Sequence, residues 1–232
     1  MACLLGCRTC SVALLLPVLP CKGDWRGFAF RQGRPVAQKT TVFIDYQNAH
    51  LSGHYRYCDA HAAIYECLLD PVKLAERVVA KRAPGGTITD IRVYRGKPES
   101  RKEPTLASAN DKHFNAWMQD ERVTMRRRTL SYPQDWGKPG CVEKPREKGI
   151  DVSLAIDMVR LAFEKKYEVG ILFSRDTDLL AALEMVRDLG LAHVEVAGWE
   201  GASRLRLPGL WYHELDVEDF RAVRDTRYYR VP

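Results

Sequence analysis

Four aspartates stand where a divalent metal ion would need oxygen ligands. Asp45 ends the apolar, β-branched run at residues 40–44, and Asn48 follows three residues later. Asp151 comes just after Lys148-Gly149-Ile150, at the start of a long apolar-periodic stretch. Asp176 and Asp178 follow a second apolar run, Val169-Gly170-Ile171-Leu172-Phe173. Carboxylates gathered at strand tips repel one another unless a cation neutralises them. Carboxylate and amide oxygens are hard ligands that suit Mg²⁺ or Mn²⁺ better than zinc. Such a cation can position a phosphodiester, stabilise developing charge and lower the pKa of water. Taken singly, Asp151 and Asp178 read equally well as helix-capping carboxylates. Asp157 lies six residues beyond Asp151, about 240° further around a helix at roughly 100° per residue, and is a second-rank candidate. The sequence holds no Gly-x-Ser-x-Gly elbow, Walker loop, post-strand Gly-x-Gly-x-x-Gly or His-Glu-x-x-His to suggest another chemistry.

Basic and aromatic residues form a second group. Arg126-Arg127-Arg128 precedes a stretch containing Lys138, Lys144, Arg146 and Lys148, with Tyr132 and Trp136 interleaved, and Arg175 sits inside the last acidic segment. The arginines, Lys148 and Arg175 are candidate phosphate contacts, and the aromatics can stack bases of a single strand. The alternative for the arginine run is a solvated edge strand protected by its charge. A formal charge of +6 tilts the chain mildly toward polyanionic partners. His50 and His54, close to Asp45, are candidates for a general base.

The elements that must position these groups follow from periodicity. Strands are expected at 40–45, 87–94, 123–130, 168–174 and 192–197. Helices are expected at 70–82, where Asp70 caps and Pro71 opens the first turn, and at 107–120, 149–166 and 178–190. Residues 131–148, rich in Pro, Gly and charge, read as a loop. Strands alternating with helices imply βαβ units and a parallel sheet, whose C-terminal strand ends are the usual ligand site. The expected organisation is a loosely packed extension over 1–39, one α/β domain over 40–217 and a solvated, arginine-rich tail over 218–232.

The seven cysteines are odd in number and unevenly spread, which suits free thiols in a reducing cytoplasm better than a disulfide scaffold. Cys3, Cys7 and Cys10 share the spacing of an iron–sulfur site in enzymes that activate S-adenosylmethionine, but the likeness stops there. A zinc site that adds Cys21 finds no compact ligand pair. The apolar run 11–19 lacks a cationic flank, is interrupted at Pro17 and is too short to span a bilayer. No membrane association is expected.

The acidic segments resemble a known family. Ile44-Asp45-x-x-Asn48, Glu147-Lys148-Gly149-x-Asp151-Val152-x-Leu154-Ala155-x-Asp157-Met158 and Ser174-x-Asp176-x-Asp178-Leu179, in this order, are similar to the three motifs of the NYN domain, a branch of the PIN-like nucleases. The bacterial LabA-like group is the nearest form, and the resemblance covers about residues 40–217. It implies a three-layer α/β/α sandwich with a mainly parallel central sheet and metal-dependent cleavage of RNA. Asp45, Asp151, Asp176 and Asp178 would form the metal site with Asn48 assisting, the ion being Mg²⁺ or Mn²⁺. Single-stranded RNA is the expected partner, and a homodimer is compatible with the reading. One departure is Leu179-Leu180-Ala181, where the family often has a bulkier residue and a proline.

Overall fold

β1, Lys39–Asp45, lies in the middle of the sheet with a parallel neighbour on either side. The computed structural model describes residues 37–227 and 229. The readings placed on Cys3, Cys7, Cys10, Cys21 and the run 11–19 therefore lie outside the described residues. The other strands are β2 (Thr87–Lys97), β3 (Val123–Thr129), β4 (Val169–Phe173), β5 (His193–Trp199) and β6 (Trp211–Leu215). All pair in parallel, in the order β3-β2-β1-β4-β5-β6.

The helices are α1 (Tyr46–Tyr57), α2 (Pro71–Ala80), α3 (Pro104–Trp117), α4 (Ile150–Phe163), α5 (Leu180–Asp188) and α6 (Val217–Ala222). The two-residue period of β1 divides them into layers. Val42 and Ile44 pack with Tyr46 of α1, Leu74 and Val78 of α2, Trp117 of α3 and Phe220 of α6. Phe43 faces the other way, toward Ile150, Leu154 and Met158 of α4 and Leu183 and Val186 of α5. The result is the expected α/β/α sandwich. Strand order reverses between β1 and β4, since the chain proceeds from β1 toward β2 and β3 but from β4 toward β5 and β6. In open parallel sheets such a switch point leaves a crevice beyond the strand C-termini.

One buried ion pair ties two strands to α2. The Arg82 Nε donates to both carboxylate oxygens of Glu195, at 2.9 and 2.8 Å, and Glu195 is fully buried. His213 approaches the same carboxylate at 2.6 Å and His193 at 3.1 Å. Burial alone would raise the Glu195 pKa, but bonds from His193, His213 and Arg82 outweigh it and hold the group at about 2.

Several elements differ from expectation. α1 was not anticipated because its sequence, YQNAHLSGHYRY, has little apolar stripe. β6 and α6 were likewise not assigned. β2 continues to Lys97, and α5 is entered through a 3-10 turn, Thr177–Leu179, at the point where the family proline is missing.

The tail beyond 217 is a correction. Phe220 and Val223 are buried in the core, and Asp225 accepts from the Trp117 Nε1 at 2.8 Å. Arg227 then clamps Asp225 and Asp70, the α2 cap. Apolar residues spaced three apart outweigh the arginines that flank them. The free-thiol reading is corrected for two cysteines as well: Cys58 and Cys67 are joined as a disulfide, and Cys141 is the free cysteine among the described residues.

Candidate metal centre

Asp45 is both the last residue of β1 and the N-cap of α1. One carboxylate oxygen accepts the Asn48 backbone N–H at 3.2 Å and the other accepts the Ser174 hydroxyl at 2.9 Å. Ser174 leaves the neighbouring strand β4 and in turn accepts the Asp176 backbone N–H at 3.1 Å. The Asn48 side-chain oxygen accepts the Arg175 backbone N–H at 3.3 Å, which stitches the exit of β4 to the first turn of α1. Asp151 arrives from the other layer. Gly149 has φ of 73° at the N-cap of α4, and this left-handed turn puts Asp151 on the first helical turn. A side chain at Gly149 would also run into Arg128.

These elements bring carboxylate oxygens of Asp45, Asp151 and Asp176 within 4.8 Å of one another. Asp178 stands outside this trio. It is exposed, and its backbone N–H donates at 3.0 Å to the carboxylate of Asp176, which caps this turn. Asp157 belongs to another structure altogether. It accepts from Tyr94 Oη at 3.0 Å, Arg160 at 2.9 Å, Arg126 at 3.3 Å and Arg92 at 3.4 Å. Burial pushes its pKa up, but bonds from Arg160 and Tyr94 and the nearby arginines prevail and lower it. It is a structural tie, as its angular separation from Asp151 suggested.

Glu147 joins the acidic cluster from the 131–148 loop and was missed as a site residue. Its Oε1 accepts the Gly96 backbone N–H at 2.5 Å, and Gly96 has no room for a side chain against Leu130 and Glu147. Burial raises the Glu147 pKa to about 7, the Gly96 bond opposes this, and the charges of Asp45 and Asp151 add to it. The signal was present, because Glu147 opens the second motif, but within a loop full of charge it read as surface. The loop closes on itself where Ser131 and Arg146 exchange backbone hydrogen bonds of 2.8 and 2.9 Å. Tyr132 is fixed beneath it, donating to Glu103 at 2.6 Å, and meets Trp136 edge-on at 5.4 Å between centroids.

The electrostatics of the cluster fit a divalent cation. Burial raises the Asp45 pKa to about 6, Ser174 and the Asn48 N–H pull it back, and the charges of Asp151 and Asp176 raise it further. Asp151 is raised too, chiefly by burial and then by Asp176. An acid in a cationic pocket would be lowered instead. The donors are all hard oxygens, as Mg²⁺ or Mn²⁺ requires.

The basic residues do not form one patch. The strand alternation of β3 sends Arg126 and Arg128 to the α4 face and Arg127 to the opposite one. Arg127 is bonded to Asp111 at 2.6 Å and lies 3.8 Å over the Phe114 ring, so it is committed to α3. Arg126, Arg128, Lys148 and Arg175 are exposed. His50 and His54 are not part of the acidic trio. His50 is buried against the Ile64 carbonyl at 3.0 Å, and burial, aided by Arg95, lowers its pKa to about 4.

A family model described as the NYN domain matches residues 39–206, most of the chain. The chain belongs to the NYN domain family. The NYN match takes in β1 through β5 and every acidic residue of the cluster, and ends before β6. The NYN domain is a nuclease-like fold, and the acidic trio sits where its three motifs converge. Among solved structures, a protein of unknown function from Vibrio parahaemolyticus is similar at 16% identity and a TM-score of 0.47, covering 81% of this chain and 98% of its own. A search of curated proteins returns no significant match.

Proposed function

We propose that this NYN domain is a ribonuclease that hydrolyses phosphodiester bonds with the help of Mg²⁺ or Mn²⁺, and that it belongs to the LabA-like branch. The observation that carries the reading is the meeting of Asp45, Asp151 and Asp176 at the β1/β4 switch point, with the Asp45 pKa raised rather than lowered. These three side chains would hold the ion. When bound, the ion supplies Lewis acidity toward phosphate oxygens and acidifies water. Glu147 keeps Oε1 on the Gly96 N–H, which leaves its other oxygen to take a proton as water attacks phosphorus. Ser174 and Asn48 act on position, by fixing Asp45 and the Asp176 loop. Asp178, one step outside the trio, would meet substrate or a second ion.

Single-stranded RNA is proposed to lie along the α4 face of β3, where Arg126, Arg128 and Lys148 are exposed, and to reach Trp136, which packs edge-on against Tyr132. Replacing Arg126 and Arg128 together by Ala is expected to weaken RNA binding and flatten its salt dependence by about 1.4 in log–log slope, at roughly 0.7 per single-strand phosphate contact. Arg127→Ala is expected to leave the slope unchanged and to lower stability, because its bonds are internal. Equal slope changes from both variants, measured by fluorescence anisotropy against salt, would contradict this division. No helix among the described residues is long and apolar enough to cross a membrane. We place the activity in the cytoplasm.

The direct test incubates purified protein with mixed RNA and, separately, DNA, with Mn²⁺ or Mg²⁺ and with chelator. RNA loss that needs the metal and stops with chelator is the expected result. Binding without loss of RNA in either metal would make the domain an RNA-holding module instead.

A further inference from the structure

A second cluster of metal-ligating side chains lies at the opposite end of α1 from Asp45. His54 is on the last turn of the helix and Cys58 is its C-cap, whose backbone N–H donates to the His54 carbonyl at 3.0 Å, so the two residues lie side by side at the helix end. Cys67 reaches the same point from the 3-10 turn Ile64–Cys67. A ring nitrogen of His54 and the sulfurs of Cys58 and Cys67 all lie within 4.8 Å of one another. His54 and Cys67 are buried and Cys58 is partly so. The His54 Nδ1 is buried and makes no hydrogen bond, although a buried imidazole nitrogen normally finds a partner.

We infer that His54, Cys58 and Cys67 form a zinc site when the two cysteines are reduced, and that the zinc-bound and disulfide forms are alternative clasps of one loop. One imidazole and two thiolates suit zinc, as a three-ligand set that leaves the fourth position to water. They do not suit Mg²⁺, so this site and the acidic cluster discriminate between metals by ligand softness. In the cytoplasm proposed above, thiol reductants keep such pairs open. The exchange balances simply. Two thiol molecules, RSH, reduce the Cys58–Cys67 bond to two thiols and couple to RS–SR. Zinc binding then releases the two thiol protons to water.

Either clasp closes the same short loop, from the end of α1 to the strand-like segment at Leu69. The reduced, zinc-free chain is the unclasped form. It is expected to have the lowest Tm of the three, and zinc or oxidation should each raise it.

The test is a cobalt titration of the full-length chain, with Cys3→Ser, Cys7→Ser, Cys10→Ser and Cys21→Ser to silence the other clustered thiols. The protein is reduced with a phosphine and kept anaerobic. The expected result is a near-ultraviolet thiolate-to-cobalt band that saturates at one cobalt per chain, survives excess Mg²⁺ and is discharged by Zn²⁺. The oxidised protein should lack the band. His54→Ala should bind cobalt at least ten-fold more weakly and shift the visible bands, with circular dichroism reporting that it is folded. A reduced chain with His54 intact that shows no thiolate band overturns the proposal, whatever the fate of the variant. So does a folded His54→Ala chain with unchanged cobalt affinity. Failure of RNA cleavage would not affect either readout.

Discussion

Asp45→Asn is expected to yield a protein that is more stable than the parent without metal and at least about 100-fold slower with it. The second half follows from the ligand set, since loss even of an outer partner of a metal ligand costs about 10–100-fold. The first half follows from burial. Asp45 titrates at about 6 in the fold against an ordinary 3.8, so its ionised form costs folding about 3 kcal/mol at neutral pH. The sign is that of a raised carboxylate. Its favourable contribution is complete below about pH 4 and disappears as pH rises through 6. Metal-free parent should therefore lose stability between pH 4 and 7, an effect that Mg²⁺ reverses and that is smaller in the variant, where only the raised carboxyls of Glu147 and Asp151 still produce it. Asparagine remains a good helix cap, and the Ser174 hydroxyl can donate or accept, so the local bonds survive. Thermal melts at pH 5 and 7.5, with turnover at saturating Mn²⁺, decide the matter. A variant that keeps near-normal turnover, or melts below the parent at pH 7.5 without metal, rules the assignment out.

Arg82→Met should be the most damaging single change outside the site, at about 3–5 kcal/mol, because it strands a fully buried carboxylate. Glu195 is held at about 2, so it contributes stability above about pH 4.5 that is lost as pH falls through 2. The variant should lose part of that acid dependence, since the His193 and His213 bonds to Glu195 remain, while the double change Arg82→Met with Glu195→Leu should remove it and recover much of the stability loss. Urea midpoints at pH 7 for the parent, single and double variants provide the measurement. A single variant within 1 kcal/mol of the parent would mean that His193 and His213 suffice to hold the charge.

The acidic trio was legible because each member marks an element boundary. Asp45 and Asp176 close or follow apolar runs, and Asp151 opens a long periodic helix. Glu147 escaped because its environment comes from Gly96, fifty-one residues away, and no local pattern encodes that contact. α1 escaped because its inward face is made of Tyr46, Ala49, His50, Gly53 and His54, which carry little of the hydrophobic contrast that periodicity detects. The strand at 123–130 was legible, and its alternation already divides the arginine run between two faces. Only the fold shows that Arg127 meets Asp111 of α3 while Arg126 and Arg128 meet Asp157 and Gly149 at α4. The Cys58–Cys67 pairing depends on a helix end meeting a 3-10 turn, which composition does not reveal.

The Ser131–Arg146 clasp has a consequence for how this protein can change over generations. It closes the excursion between those two residues on itself, so Glu147 can stay on Gly96 while the excursion varies beyond Tyr132, which is anchored to Glu99 and Glu103. Lengthening it costs only the entropy of a larger closed loop, about 0.6 kcal/mol for each doubling. That makes the segment a graftable cassette. New sequences can be tried beside the acidic cluster without refolding the sheet, and relatives with the same carboxylates could diverge in what they grip through this one insertion point.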